Sequence, residues 1–248
     1  MTDWDRAREL LERDRVWCAY ALADLDPALR EFSDVWIKHG SVLLRYRGLE
    51  PAVLFAYGRP EVIRTLYMNL EPARYSFTFD LSVRAELDDL LTLEHEVEMH
   101  RMDFRGPKRP VSSREPASRL SSEQLDDILA LIDDQPDRPD AFDPGQVASG
   151  TFFGVWQAGN LVAMAGTHVV SRLMDVAAIG NVFTHPDWRG AGFARAASAA
   201  VLEDLLAMGI RTIVLNTQVH NQAATKLYSG LGFESYCPYM EGVALIPS

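Results

Sequence analysis

The stretch T-H-P-D-W-R-G-A-G-F-A, Thr184 to Ala194, joins the apolar run V-A-A-I-G-N-V-F to a long alanine-rich segment. The run reads as a strand over 175–184, and the alanine-rich segment as a helix from about Gly192 to Met208 that stops at Gly209. Between them stand a proline turn, Arg189 and two glycines. A helix start exposes unpaired backbone N–H groups and the positive end of its dipole, so it accepts phosphates readily. Gly190 and Gly192 lack Cβ atoms, which allows a tight turn and a close approach of a pyrophosphate to the amides. Arg189 adds a charge-assisted contact.

Two other phosphate loops fail on residues. A P-loop needs G-x-x-x-x-G-K-[ST], and nothing of the kind follows Gly190. A dinucleotide loop needs a third small residue where Arg195 stands. It also needs an acid after the next strand, whereas I-V-L-N ends in Asn216.

A second segment, L-N-T-Q-V-H-N-Q-A-A-T-K-L-Y-S-G-L-G-F, follows the helix and a strand over 211–216. Together the two motifs resemble the GCN5-related N-acetyltransferase (GNAT) family, from about Leu120 onward. Arg189-Gly190-Ala191-Gly192-Phe193-Ala194 is similar to the family's R/Q-x-x-G-x-G/A loop. Asn221, Ala224, Leu227, Tyr228, Gly232 and Phe233 are similar to its N-x-x-A-x-x-L-Y-x-x-x-G-F segment. The resemblance implies acetyl-CoA as cofactor and a strand that splays from its neighbour. The freed backbone of Val182, Phe183 and Thr184 would then pair with pantetheine. It further implies direct attack of an amine on the thioester, with Tyr228 donating to the departing thiolate. Asn216 and Asn221, flanking the second motif, are expected to contact the cofactor with Ala224, and Asn221 also suits an N-cap.

The general base is less evident. Many family members carry a glutamate ahead of the pantetheine-pairing segment, whereas here that stretch is A-A-I-G-N. Asn181 can orient a water or the substrate but cannot take a proton. His168, His185 and His220 have suitable ordinary pKa values, each with a structural role as the alternative. A water relay or an amine that arrives deprotonated also satisfies the chemistry.

Bulk properties narrow the surroundings. The chain has 248 residues, a net charge of -11 and two cysteines, Cys18 and Cys237. The acidity disfavours nucleic-acid binding, and the cysteine spacing disfavours a disulfide framework or a zinc site. No apolar run is long enough for a membrane helix, and the charged first residues leave no apolar signal-peptide centre, so a cytoplasmic protein is expected. The oligomeric state stays open. Residues 121–248 hold 6 Lys+Arg against 14 Asp+Glu, a field that suits a cationic substrate.

The expected fold is α/β (α+β): a GNAT-like, mixed, mostly antiparallel central sheet flanked by helices, preceded by a smaller α/β N-terminal domain. The expected division is 1–110, a linker at 111–119 that closes the Pro-rich, basic stretch 101–119, and the acetyltransferase domain at 120–248. The first part reads as a helix over 5–23, strands over 35–46 and 52–57, a helix from Pro60, and strands over 74–79 and 93–104 around a helix at 82–90. A degenerate half of the same fold, forming one wall of the acceptor site, is one reading of it. The acceptor is expected to be a small amine or an amino-acid-like compound. The alternatives are a non-catalytic acyl-CoA-binding regulator and a protein N-acetyltransferase.

Overall fold

The computed structural model of the protein describes residues 2–106, 116–133, 135, 138–139 and 142–247. Residues 111–115 of the expected linker lie outside the described residues. The chain forms two compact units. The first comprises Met1–Arg101, Thr217–Asn221 and Ser235–Ser248; the second comprises Met102–Asn216 and Gln222–Glu234.

In chain order the elements reaching the end of the first long segment are α1 (Asp3–Leu11), α2 (Ala19–Asp24), β1 (Ser33–Lys38), β2 (Ser41–Tyr46), β3 (Val53–Tyr57), α3 (Pro60–Tyr67), β4 (Arg74–Asp80), α4 (Leu81–Glu86) and β5 (Thr92–Phe104). There follow β6 (Ser118–Leu120), α5 (Leu125–Ile132), α6 (Pro144–Ser149), β7 (Phe152–Gln157), β8 (Asn160–Ser171), β9 (Val176–Thr184), α7 (Phe193–Ala207), β10 (Thr212–Gln218), α8 (Gln222–Leu231) and β11 (Phe233–Leu245).

In the first unit the strand order is β1-β2-β3-β4-β11-β5. The pairs β1–β2, β2–β3 and β4–β11 are antiparallel, whereas β3 and β4 are parallel and joined by α3. In the second unit the order is β10-β9-β8-β7-β6. Here β6–β7, β7–β8 and β8–β9 are antiparallel, and β9 and β10 are parallel and joined by α7. Each unit is thus a mixed, mostly antiparallel sheet flanked by helices. The run β1 to β4 repeats, pairing for pairing, the run β7 to β10.

Local chemistry accounts for the places where the elements depart from the sequence reading. The helix expected over 5–23 is broken into α1, a 3-10 turn and α2, because the Asp14 side chain accepts the backbone N–H of Trp17 at 3.0 Å and turns the chain. The strand expected over 35–46 is a hairpin. Its turn residues His39 and Gly40 have φ of 46° and 79°, the left-handed pair that two-residue hairpins need. The helix α6 is an element that the sequence reading did not include; Asp143 and Gln146 open it as a reciprocal capping box.

The second unit's core gathers Ala197, Val201, Leu202 and Leu205 of α7 against Ala177 and Ile179 of β9, Ile213 and Leu215 of β10, and Phe233. Alanine favours the helix and keeps that face shallow enough to lie close on the sheet. The first unit has its own core of Leu43, Leu54, Ile63, Tyr67, Phe77, Phe79 and Val83. Among the described residues, no helix is long and apolar enough to cross a membrane.

Candidate functional site

The parallel ladder between β10 and β9 runs from Thr212↔Val176 to Leu215↔Ile179. Both strands continue past it. β9 goes on to Thr184 and keeps its other neighbour, with Gly166↔Gly180, Met164↔Phe183 and Ala163↔Thr184. Among the described residues, the ladder to β10 thus stops short of Val182, Phe183 and Thr184. Backbone amides and carbonyls that leave a ladder seek other partners, so this opening suits an extended chain of amides.

The departure coincides with an irregularity. The β8–β9 register shifts between Met164 and Gly166, and opposite it Asn181 has φ 51°. Asparagine is among the few residues that take this conformation at low cost. Asn181 is buried, and its Nδ2 donates to Gln146 Oε1 at 2.8 Å. Its Oδ1 is buried with no hydrogen-bond partner among the described residues.

Beyond Thr184 the chain makes a short 3-10 turn, Pro186–Trp188, capped by His185 Nδ1, which accepts the Asp187 N–H at 3.3 Å. Gly190 has φ 78°, and Gly192, the N-cap of α7, has φ 87°. Among the described residues, no side chain caps this helix start. A Cβ built on either glycine meets nothing within 4 Å, so the loop's outer surface is open. The glycines serve the backbone conformation, and the space above the amides is clear. Arg189 Nε donates to the Thr184 carbonyl at 3.1 Å, and its guanidinium lies 5.8 Å from the Phe183 ring centre. Ala191 is exposed between the glycines, Phe193 is buried, and Ala194 is half-buried in the first turn of the helix. Positive charge, an uncapped helix start and open space together form a fit for a pyrophosphate in a protein that is acidic as a whole.

Tyr228 of α8 lies in the second unit's core with Ala197, and Val182 and Ala224 pack against the same cluster. Its ring meets Phe233 edge-on at 6.3 Å. Burial pushes its hydroxyl up to about 12, so it stays protonated at neutral pH. Arg195 reaches α8, its Nη1 lying 2.7 Å from where a Cβ on Gly230 would stand. Asn216 follows the last β9-paired residue of β10. Asn221 precedes α8 in the Thr217–Asn221 segment of the first unit, its amide donating to the Gln218 carbonyl at 2.9 Å.

The three histidines separate. His168 lies on β8 against β9, its ring standing where a Cβ on Gly180 would project. His185 caps its own turn, and His220 belongs to the same first-unit segment as Asn221. The partner of Asn181, Gln146, escaped the sequence reading. The signal that would have found it is the spacing of Asp143 and Gln146, a capping box that marks a helix start.

Residues 119–233 match the Acetyltransferase (GNAT) family. The ribosomal protein bS18-alanine N-acetyltransferase of Escherichia coli (strain K12) is 32% identical over 96 residues, covering 36% of this chain and 63% of that protein. A mycothiol acetyltransferase from Nocardiopsis dassonvillei is 33% identical over 115 residues, covering 44% of this chain and 32% of that protein. The matches thus leave more than a third of each relative's own length uncovered. Among solved structures, a GNAT-family protein from Novosphingobium aromaticivorans has a TM-score of 0.66 at 20% identity, covering 93% of this chain and 97% of that one. A Drosophila protein has a TM-score of 0.72 at 13% identity, covering 99% and 96%. At these identities the structures speak for the fold alone.

Proposed function

Since residues 119–233 match the Acetyltransferase (GNAT) family, we propose that the chain transfers an acetyl group from acetyl-CoA to the primary amine of a small or amino-acid-like acceptor by direct attack. The observation that carries this reading is the end of the β9–β10 ladder at Leu215↔Ile179, beside a helix start that no side chain caps. Acetyl-CoA supplies the activated carbonyl and the sulfur leaving group. Gly190, Ala191, Gly192, Phe193 and Ala194 would hold its pyrophosphate on backbone amides, with Arg189 beside them, and Val182 to Thr184 would pair with its pantetheine amides. Asn216, Asn221 and Ala224 complete the proposed contacts.

The transfer forms a C–N bond, breaks the C–S bond, and moves one proton from the amine to the departing thiol. Tyr228 is proposed to donate to the sulfur. Its raised pKa keeps the donor proton in place across the physiological range. The acceptor amine must lose its proton before attack. Of the candidate bases, His168 has the position that favours it, packed on β8 against Gly180, the first β9 residue beyond the ladder to β10. The buried Oδ1 of Asn181 is an acceptor suited to a water or amine N–H there.

The relatives' names pair acetyl transfer with unlike acceptors, one a ribosomal protein's alanine and one mycothiol, so the small amine proposed here stands on the acidic field of residues 121–248. Titration with CoA, followed by thiol release from acetyl-CoA across a panel of small amines, tests the reading. The expected result is CoA binding together with turnover on at least one amine. Binding with no turnover on any amine or on N-terminal peptides would make the protein a regulator, and absence of CoA binding would overturn the reading altogether.

A further inference from the structure

The first unit has its own parallel pair, β3 and β4, with Val53↔Ser76 to Phe55↔Thr78 in register and α3 between them. In open α/β sheets ligands collect at the carboxyl ends of parallel strands. A cavity of about 340 Å³ lies at that place, lined by Tyr57, the last residue of β3, and Asp80, the last residue of β4. Asp14, Trp17 and Tyr236 complete its working surface, with Arg13 beside them. The volume falls within the usual range for small-ligand sites.

This cavity is not a second nucleotide cradle. The turn after β3 is filled, since a Cβ on Gly58 would stand 2.5 Å from the Ser41 hydroxyl oxygen and 2.7 Å from the Ser41 Cα. Pro60 then opens α3 without an N–H to offer. Two carboxylates against one guanidinium leave the lining net negative.

The carboxylates are held in place. Asp14 Oδ1 accepts the Tyr236 hydroxyl at 2.8 Å and the Trp17 backbone N–H at 3.0 Å. Asp80 Oδ1 accepts the backbone N–H groups of Ser82 and Val83 at 2.8 and 3.0 Å. Burial raises the Tyr57 hydroxyl pKa, Cys18 and Asp14 raise it further, and Arg13 acts against them. Trp17 is 4% exposed, and its indole Nε1 has no hydrogen-bond partner among the described residues. A buried donor of this kind wants an oxygen acceptor. Aromatic walls with carboxylates are how proteins hold organic ammonium groups.

We propose that this first-unit cavity binds a small organic cation that also carries an oxygen acceptor, such as an amino alcohol. Asp14 and Asp80 compensate the ammonium charge, the rings of Tyr57 and Tyr236 face its carbon substituents, and the oxygen meets the Trp17 indole N–H.

Isothermal titration of the full chain in the absence of acetyl-CoA tests this, with choline, its uncharged carbon analogue 3,3-dimethylbutan-1-ol, and acetate as probes. The binding requires no acyltransferase activity, so its failure is distinct from failure of that reading. Choline is expected to bind saturably at millimolar or lower concentration, with the uncharged analogue weaker by about tenfold or more and acetate silent. Asp80→Asn, which keeps a capping side chain, and Asp14→Asn are each expected to weaken choline by about tenfold. The same unfolding temperature as the parent identifies variants that remain folded, and the probe comparison on the parent chain decides the matter if neither does. Equal binding of choline and its uncharged analogue, binding of acetate, or no binding of choline would each overturn the proposal.

Discussion

Arg189 Nε rests 3.1 Å from the carbonyl oxygen of Thr184, so the arginine of the loop is tied to the end of the strand that precedes it. The bond fixes the side chain's root while leaving it at the surface beside the open helix start. Arg189→Ala is expected to raise the KM for acetyl-CoA by about tenfold, the usual scale of one charge-assisted contact, with kcat changed far less. Arg189→Lys keeps the charge but loses the Nε donor, and it is expected to recover only part of that loss. Steady-state kinetics at saturating amine measure both, and an unchanged KM in Arg189→Ala would remove the residue from the cradle.

Gly192 has φ 87° and open space where a side chain would project. Gly192→Val therefore meets no clash yet still strains the backbone, by about 1–2 kcal/mol. For a chain of this size that corresponds to a fall of roughly 2–8 °C in Tm. Calorimetric titration should show CoA affinity lost by more than tenfold even below the melting transition, because the amides turn away from their common focus.

Tyr228→Phe removes one hydroxyl and keeps the ring against Phe233. Turnover is expected to fall by about tenfold or more while the KM for acetyl-CoA stays within about twofold. Burial raises the folded pKa from 10.0 to about 12, so the protonated phenol stabilises the fold fully below pH 10. That contribution is lost as pH rises from 10 towards 12, where the unfolded chain has already released the proton. Melting temperatures should decline over that window, less steeply in Tyr228→Phe than in the parent. Equal slopes would contradict the burial of the hydroxyl.

Asn181 combines φ 51° with a 2.8 Å bond to Gln146. Two substitutions separate these roles. Asn181→Gly relieves the backbone and loses the bond, and Asn181→Ala loses the bond and adds strain. Both are expected to lower the stability of the fold, Asn181→Ala by about 1 kcal/mol more. If the free Oδ1 also serves the acceptor, both variants raise the KM for the amine and leave that for acetyl-CoA alone. Paired measurements of the two constants decide between a merely structural asparagine and a working one.

How much of this was readable in the chain differs from residue to residue, for physical reasons. The loop was legible because Gly190 and Gly192 are required by backbone conformation, and such a requirement leaves the same residue type wherever it operates. The break at His39-Gly40 was missed because two residues of turn lie inside an apolar run that reads as one strand. Gln146 was missed because its partner Asn181 is distant in sequence and the helix that carries it is only six residues long. The pairing of β11 with β4, from Tyr239↔Asp80 to Leu245↔Arg74, leaves no local trace at all. Pairings so distant depend on which edges remain available, not on the residues between.

That last pairing bears on the order of events during synthesis. The first unit takes Ser235–Ser248 as part of itself, and β11 lies between β4 and β5 in its sheet. When residue 101 leaves the ribosome, this sheet still lacks an interior strand, and β4 carries an unsatisfied edge while the whole second unit is being made. Such edges are where nascent chains associate wrongly. The half made first is thus the half finished last, and a chain interrupted before residue 235 leaves the first unit without its final form.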